Sequence, residues 1–341
     1  MQEIKLAPST RYLGSKFRIS DWIIKNLEEL DFNSVLECFG GTGTIGYLLK
    51  IKGKKITYND NLKFNYVIGK SIIENNNQRL SKKNIEFVLS YHKDIKYTKF
   101  IQKTFKTIYY TNKENIWLDM AITNIRQLNS KKKPIAYNAL FQSCISKRPY
   151  NLFHRKNLYM RLANIDRMHG NKTTWDTSFE KHFEKFVDKI NSKIFDNRKK
   201  NKSLNLDVLK LPKNHDLVYI DSPYMSRKQP VNYRACYHFL EGIINYHKWN
   251  KMIDYSTRTR QLHDDHNPWT DKSQIYILFE KLIKRFQKST LVISYKNNGI
   301  PNEYEMKKLL QKYGKKVSVK RKTHHYVMSC TSDKELLFIA S

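Results

Sequence analysis

The sequence predicts an α/β fold in which a largely parallel sheet carries a mainly helical insertion. Three short runs, at residues 34–38, 54–60 and 217–220, predict strands, and the apolar run at 217–220 has the length and composition of a buried strand of a parallel sheet. The first run leads into a glycine-rich turn and a helical pattern through Lys50, so the chain opens as a β-α-β unit. The insertion is expected to be helical because the apolar residues of TSFEKHFEKFVDKI recur at helix spacing. Near the end, VSVKRK and ELLFIAS predict an antiparallel element that closes the sheet.

Composition indicates the kind of partner. The 341 residues, enough for one large or two modest domains, include 63 Lys and Arg against 31 Asp and Glu, a formal net charge of +32. Such an excess predicts a polyanionic partner, either nucleic acid or an anionic membrane. Nucleic acid is favoured because no apolar stretch approaches the roughly 18 residues of a membrane span. Four scattered cysteines and the absence of a signal-peptide pattern predict a cytoplasmic protein with reduced thiols.

A glycine-rich loop predicts a ligand site at the start of the sheet. In SVLECFGGTGTIGYLLK, four glycines fall within seven positions: Gly40, Gly41, Gly43 and Gly46. Glycines permit a tight turn and close approach of the backbone to a ligand at a helix N-terminus. The next strand ends at Asp60, where a carboxylate is placed to accept hydrogen bonds from ribose hydroxyls.

The charge beside this loop favours one kind of cofactor. Gly41 to Gly46 match the G-x-G-x-x-G pattern, which keeps NAD open as a ligand. However, Glu37 lies just ahead of the glycines, and an acidic residue there suits a positively charged ligand better than a pyrophosphate. S-adenosylmethionine carries a sulfonium and an α-amino group and has no phosphate. The loop therefore favours S-adenosylmethionine without excluding NAD.

The third apolar run ends at Asp221-Ser222-Pro223-Tyr224, in HDLVYIDSPYMSRK. Asp-x-Pro-Tyr after a strand, in a chain with this glycine loop, resembles the catalytic motif of amino-methyltransferases that act on nucleic-acid bases. The order of further motifs is similar to that of the Dam-like, D12-class adenine methyltransferases, from RYLGSK through ECFGGTG, YNDN and LVISYKNNG to HHYVMSCTSDKELLFIA. Two features depart from the family pattern: Ser222 replaces a more usual proline, and the middle segment is long.

The resemblance implies a Rossmann-like sheet that binds S-adenosylmethionine, and a role for each residue of the motif. Asp221 and the backbone carbonyl of Ser222 would accept N–H bonds from the amino group of a flipped-out adenine. Pro223 would stiffen the turn, and Tyr224 would offer a stacking face to the base. The residues that the resemblance assigns to the cofactor are Tyr12, Lys16, Glu37, Phe39, Gly41, Gly43, Asp60 and Asp207.

The middle segment predicts the contact with DNA. From Met120 to Ile165 there is no Asp or Glu, whereas there are nine basic residues. Within it, KRPYNLFHRKNLYMR interleaves basic and aromatic residues, which suits phosphate and base contacts. We therefore predict a target-recognition domain at residues 76–199, inserted into a catalytic domain of residues 1–75 and 200–341. Its predicted DNA-binding residues are Lys147, Arg148, Arg155, Lys156 and Arg161.

Together these features predict a site-specific adenine methyltransferase that acts on double-stranded DNA in a restriction-modification system, with a separate restriction endonuclease as a possible partner. The segment ALFQSCISKRPYNLFHRKNL also resembles modification enzymes of type IIS systems. Two alternatives stay open: a methyltransferase for N4 of cytosine or for adenine in RNA, and a non-catalytic NAD- or DNA-binding regulator. No metal site is predicted, because the histidines and aspartates of LHDDHNPW lie in a segment typical of an exposed loop.

Overall fold

The computed structural model describes residues 12–163, 172–225, 231–263, 266–324 and 333–341. The chain forms two compact units. The sheet unit consists of Met1–Asn76, Asp196–Asn232 and Asp265–Ser341, and the helical unit consists of Asn77–Phe195 and Tyr233–Asp264. In LHDDHNPW, Asp264 and Asp265 lie outside the described residues. Within the described ranges, no helix combines the length and apolarity needed to cross a membrane.

The sheet unit contains a mixed sheet whose order is β3-β2-β1-β4-β5-β7-β6. Its described strands are β1 Ser34–Glu37, β2 Lys55–Asn59, β3 Lys202–Leu204, β4 Leu217–Ile220, β5 Thr290–Lys296, β6 Val317–His324 and β7 Asp333–Ala340. The first five are mutually parallel where they pair, and β7 runs antiparallel to both β5 and β6. The predicted parallel sheet with an antiparallel closing element is confirmed.

The strands at the centre of this sheet are apolar because helices cover them. β4 is buried along its whole length, and its neighbour β1 is buried from Val35 onward. A strand with both faces covered has no solvent side, which explains continuous apolar runs in place of alternation. The α-helices of the sheet unit are Ser20–Glu28, Thr44–Ile51, Lys63–Gly69, Ile275–Arg285 and Glu303–Lys312.

The helical unit has no strand among its described residues and is built around aromatic side chains. Its α-helices are Lys82–Leu89, Phe100–Thr104, Asn112–Gln127, Lys133–Ser146, Leu158–Leu162, Lys172–Asp176, Phe179–Asn191, Tyr233–Ile244 and Trp249–Met252. The helix predicted in TSFEKHFEKFVDKI is confirmed: it begins after Ser178, whose hydroxyl caps it, and it buries Phe183 and Val187.

The boundary of the helical unit differs from the predicted domain boundary in one segment. Residues 233–264 were assigned to the catalytic domain, whereas the structure groups them with the helical unit. The reason is packing: Phe239 and Trp249 are fully buried, and their rings lie 5.0 and 4.9 Å from that of Phe105. Burial of such large aromatic side chains dominates core energetics, so this segment belongs to the helical core.

Candidate active site

Three carboxylates stand at one edge of the sheet. Glu37 is the last residue of β1, Asp60 follows β2, and Asp221 follows β4. β1 pairs in parallel with both β2 and β4, so the carboxyl ends of the three strands meet at the same edge. Ligands of open parallel sheets bind at this edge. The predicted grouping of these acids is therefore present in the structure.

The glycine loop between β1 and the next helix has a tight and specific shape. The Gly43 N–H donates to the Gly40 carbonyl at 2.8 Å, and Gly41 and Gly43 have φ values of +52° and +70°. A residue with a Cβ atom is strained in this left-handed region, so both positions favour glycine. Gly46 serves a different need, because a Cβ atom there would lie 2.3 Å from Glu37 Oε2. The loop thus leaves room for the carboxylate that precedes it.

Glu37 has an incomplete set of partners. Its side chain is buried, and Oε2 has no hydrogen-bond partner among the described residues. Burial raises the pKa of Glu37 well above its usual value, a Gly46 backbone hydrogen bond opposes the rise, and the charges of Asp221 and Asp60 add to it. A buried, unpaired carboxylate oxygen is costly unless a donor satisfies it. This oxygen therefore fits a ligand that brings an ammonium group.

Asp60 supports the loop from the second strand. Its Oδ2 accepts from the Gly41 N–H at 2.9 Å and its Oδ1 from the Leu62 N–H at 2.8 Å. Burial nevertheless raises the pKa of Asp60 to about 6, against the lowering effect of these two bonds. Each carboxylate oxygen has a second acceptor site. Asp60 can therefore hold the loop and still accept ligand hydroxyls.

Asp221 forms an ion pair that the sequence did not predict. Lys16 Nζ lies 2.6 Å from Asp221 Oδ1 and 3.9 Å from Glu335 Oε1. Burial raises the pKa of Asp221 to about 6, with Lys16 opposing this rise and Glu335 adding to it. Lys16 was predicted to bind the cofactor, but its ammonium contacts Asp221, the carboxylate predicted to be catalytic. A fraction of 16% of the Asp221 side chain remains exposed, which leaves it accessible to a ligand.

Tyr224 is held from several sides. Its hydroxyl donates to Glu335 Oε1 at 2.8 Å, its ring makes an edge contact with Tyr295 at 5.4 Å, and Lys16 Nζ lies 4.8 Å from the ring centroid. Glu335 was not among the predicted site residues. The available signal was a single carboxylate at the start of the apolar run ELLFIA, where a buried charge needs a partner.

The remaining predicted residues differ in their surroundings. Tyr12 accepts a hydrogen bond from Asn65 at 3.1 Å, and Phe39 is half-buried with its ring 5.0 Å from that of Trp269. Ser222 is buried, and Pro223 is half-buried beside it. Asp207 is exposed and caps a short turn through the Leu209 N–H at 2.7 Å, so its predicted contact with a cofactor stays a prediction.

The basic residues of the middle segment divide into two groups. Lys147, Arg148 and Arg161 are buried within the helical unit, at 2%, 1% and 7% exposure. Lys147 and Arg161 pair with Glu114 at 3.0 and 2.6 Å, and the Arg148 guanidinium lies 4.4 Å from the Tyr109 ring centroid. This burial contradicts the predicted DNA contacts of the three cations, because side chains packed inside the helical unit are not exposed to a phosphate.

Arg155 and Lys156 form the second group, and both are exposed. The neighbouring aromatic residues divide in the same way, because Tyr150 and Tyr159 are exposed whereas Phe153 is fully buried. The prediction of DNA contact therefore stays a prediction for Arg155 and Lys156. Two of the three buried cations, Lys147 and Arg161, have a carboxylate partner in Glu114, which precedes the acid-free segment. Arg148 instead packs on the Tyr109 ring.

An acidic loop site and an Asp-x-Pro-Tyr motif at the carboxyl ends of parallel strands define a class, the amino-methyltransferases of nucleic-acid bases. A family model for D12 class N6 adenine-specific DNA methyltransferases matches residues 12–309. The chain belongs to this family. The predicted resemblance, the methyltransferase fold and adenine-specific DNA methylation are thereby confirmed.

Curated relatives agree with this family. The chain is 28% identical to the Type II methyltransferase M2.HphI of Haemophilus parahaemolyticus over 345 residues, which cover 97% of each protein. It is 27% identical to Modification methylase StsI of Streptococcus sanguinis and 25% identical to the Type II methyltransferase M.FokI of Planomicrobium okeanokoites. Those two alignments cover 89% of this chain but only 46% and 47% of the relatives, so the chain spans about half their length.

Proposed function

We propose that this chain transfers a methyl group from S-adenosylmethionine to N6 of adenine in double-stranded DNA, as the modification enzyme of a type II restriction-modification system. The observation that carries the proposal is Asp221, a partly exposed carboxylate at the end of β4 with Lys16 at 2.6 Å and Tyr224 in the same motif. The names of the relatives support the modification role, because they are type II methyltransferases and a modification methylase. A restriction endonuclease of the same specificity would act separately.

The donor site consists of residues whose chemistry matches S-adenosylmethionine. Glu37 Oε2 would accept from the α-amino group, and Asp60 would accept from the ribose hydroxyls. Gly41 and Gly43 allow the ligand to approach the backbone, and Tyr12, Phe39 and Asp207 complete the proposed set. The bound donor supplies a methyl group on a sulfonium, which is already an activated leaving group.

Asp221 would act on the base. The amino group of adenine is a weak nucleophile because its lone pair is delocalised into the ring. Asp221 and the Ser222 carbonyl can both accept N–H bonds from that nitrogen and so direct its lone pair toward the methyl group. The pKa of about 6 keeps Asp221 largely ionised at neutral pH, so the carboxylate is present as an acceptor. Tyr224 supplies a face on which an adenine that has left the duplex can stack.

The helical unit would recognise the target sequence. It contains the exposed cations Arg155 and Lys156, which we propose as phosphate or base contacts. The exposed rings of Tyr150 and Tyr159 lie in the same stretch of sequence. This composition agrees with a nucleic-acid surface in which charge provides affinity and aromatic groups add stacking.

Product analysis tests the proposal. The chain is incubated with double-stranded DNA and S-adenosylmethionine. The DNA is then digested, and its nucleosides are separated and identified by mass spectrometry. The expected product is N6-methyldeoxyadenosine. N4-methylcytosine as the product, or methylation of RNA alone, would contradict the proposed substrate.

The donor site is tested by calorimetric titration. Asp60→Ala is expected to weaken binding of S-adenosylmethionine by about 1–3 kcal/mol, because ribose hydroxyls and the Gly41 N–H lose a charged acceptor. Asp31→Ala, at an exposed position ahead of β1, is the matched control and should leave the affinity unchanged. Equal donor affinity in folded Asp60→Ala, or binding of NAD in place of the donor, would show that the site is misassigned.

A further inference from the structure

β7 contains a carboxylate to which the proposed mechanism gives no role. Glu335 is completely buried, and the residues that follow it in the strand, Leu336 and Leu337, are buried and apolar. A charged side chain in such a strand is destabilising unless it has strong partners. Glu335 therefore needs an explanation from its contacts.

Three contacts of Glu335 lie at or beside the candidate active site. Its Oε1 accepts from the Tyr224 hydroxyl at 2.8 Å and lies 3.9 Å from Lys16 Nζ. The Ser294 hydroxyl of β5 donates to the same oxygen. The carboxylate thus joins the N-terminal segment, the Asp-x-Pro-Tyr motif and two strands in one buried network.

Exposure separates the roles of the two carboxylates in this network. Asp221 keeps 16% of its side chain exposed, whereas Glu335 keeps none. Asp221 is accessible to a substrate, and Glu335 can influence the reaction only through the groups that it contacts. Those groups include the stacking ring of Tyr224 and the Lys16 ammonium that pairs with Asp221.

We propose that Glu335 is a positioning residue for methyl transfer: it anchors the Tyr224 hydroxyl and shares the Lys16 ammonium with Asp221, so that stacking ring and acceptor carboxylate keep one arrangement. The proposal rests on the roles of Asp221 and Tyr224 given under the proposed function. Its physical basis is that a side chain acts reproducibly on a substrate when neighbouring contacts lock its conformation. The Tyr224 ring is held at its hydroxyl by Glu335 and at its edge by Tyr295.

The charge of Glu335 has a second consequence, which gives the proposal a specific signature. Among the residues that the structure describes, the titratable groups that face Asp221 are Lys16, Glu335, Tyr224, Glu37 and Tyr219. Among them, the Lys16 ammonium lowers the pKa of Asp221, the Glu335 carboxylate raises it, and a hydrogen bond from Tyr224 lowers it. Because Asp221 acts as a carboxylate, the rate falls as the pH drops through its pKa of about 6. This fall in rate is the acidic limb of the pH–rate profile. Removal of the Glu335 charge or of the Lys16 charge should shift this limb, and the two shifts should have opposite directions.

The first experiment is a double-mutant cycle with Glu335→Gln and Tyr224→Phe, measured as single-turnover methylation of a DNA duplex. We expect each single variant to lose about 10-fold in rate, the factor that a hydrogen bond to a charged group commonly contributes. The double variant should lose much less than the product of the single losses, because both changes act on the same hydrogen bond: Glu335→Gln removes the charge of the acceptor, and Tyr224→Phe removes the donor. Glu280→Gln, in an exposed ion pair with Lys312, is the matched control and should retain the wild-type rate.

The second measurement is the pH dependence of the single-turnover rate. Glu335→Gln removes a negative charge beside Asp221, so its acidic limb should shift to lower pH. Lys16→Met removes the stabilising ammonium, so its limb should shift to higher pH. Fluorescence of 2-aminopurine at the target position reports capture of the flipped base, and Glu335→Gln should weaken this signal because the Tyr224 ring is less ordered.

Three results would overturn the proposal. They are a wild-type rate and pH profile in folded Glu335→Gln, full additivity in the double variant, and a wild-type rate in Tyr224→Phe. The last of these decides the question even if Glu335→Gln does not fold, since it removes the same hydrogen bond from the other partner. Asp221→Ala separates the two levels: activity in that variant would refute the proposed site itself, whereas its inactivity with an unaffected Glu335→Gln would refute only the role of Glu335.

Discussion

The two units of this protein each bury a small ionic cluster, and the clusters have opposite composition. In the sheet unit, Asp221 and Glu335 share the single cation Lys16. In the helical unit, Lys147 and Arg161 share the single carboxylate Glu114. The shortest contact is 2.6 Å in both clusters, so distance alone does not distinguish them.

The difference lies in how completely the carboxylates are satisfied. Arg161 binds Glu114 through its two terminal guanidinium nitrogens, Nη2 at 2.6 Å and Nη1 at 3.1 Å, and the Thr111 N–H adds a bond at 2.8 Å. These partners lower the pKa of Glu114 against the opposing effect of its burial. Burial dominates at Asp221, whose pKa rises to about 6. The charged form is thus favoured by the fold at Glu114 and disfavoured at Asp221.

This contrast distinguishes a structural ion cluster from a functional one. A carboxylate whose charge is stabilised by its surroundings contributes to folding and has little capacity left for a ligand. A carboxylate kept charged at a cost, with part of its surface open, is typical of an active site. The two clusters therefore predict opposite effects of neutralisation on stability.

The largest expected effect on stability is at Glu114. Glu114→Gln leaves Lys147 and Arg161 buried without a counter-charge, and removal of one partner from such a cluster commonly costs about 3–5 kcal/mol. The folded pKa of Glu114 is depressed, so its contribution is complete above the unfolded pKa near 4.5 and is lost as the pH falls through the folded value. Urea unfolding at several pH values measures this difference.

Glu184→Gln, at an exposed position of the same unit, is the control for Glu114→Gln and should change the free energy of unfolding by less than about 0.5 kcal/mol. A Glu114→Gln protein as stable as the wild type at pH 7 would contradict the structural role of the cluster.

The next effect separates stability from catalysis at Asp221. Asp221→Asn should lower the single-turnover rate by about 10²–10³-fold, by analogy with lost oxyanion-hole donors. The same variant should raise the free energy of unfolding by about 1–3 kcal/mol at pH 7, because it removes a charge that the fold disfavours. The folded pKa is raised above the unfolded value, so this gain should be absent below the unfolded pKa near 4, grow as the pH rises, and be complete above about 6.

Single-turnover methylation measures the rate of Asp221→Asn, and urea unfolding of the same preparation measures its free energy of unfolding. A near wild-type rate would remove Asp221 from the mechanism. A loss of stability comparable to that of Glu114→Gln would instead make the sheet-unit cluster a structural one.

The smallest effect is expected at the exposed cations. Arg155→Ala and Lys156→Ala should leave stability unchanged and weaken DNA binding, and each lost phosphate contact should reduce the salt slope by about 0.9. Titration of a labelled duplex at several salt concentrations measures the slope. Lys281→Ala, an exposed lysine of the sheet unit, is the matched control. An unchanged slope in the Arg155 and Lys156 double variant would remove both residues from the proposed DNA surface.

Local pattern was sufficient for much of this protein. The runs at β1, β2 and β4 are buried strands, and the acids at their ends meet because parallel strands place their carboxyl ends at one edge of a sheet. The glycine loop and the helix after Ser178 follow from turn chemistry and periodicity, and the antiparallel end of the sheet follows from the runs VSVKRK and ELLFIAS. These features depend on residues close together in the chain, whose spacing is visible in the sequence.

Contacts between distant residues depended on the tertiary structure. Lys16 and Asp221 are 205 positions apart, and Tyr224 and Glu335 are 111 apart, so no periodicity connects them. The positive charge of a residue did not predict its burial either. Lys147 and Arg155 occur in one basic segment, but Lys147 is buried against Glu114 and Arg155 is exposed. Whether a charged side chain enters the core is set by the partner that packing brings to it, since only a paired charge can remain there.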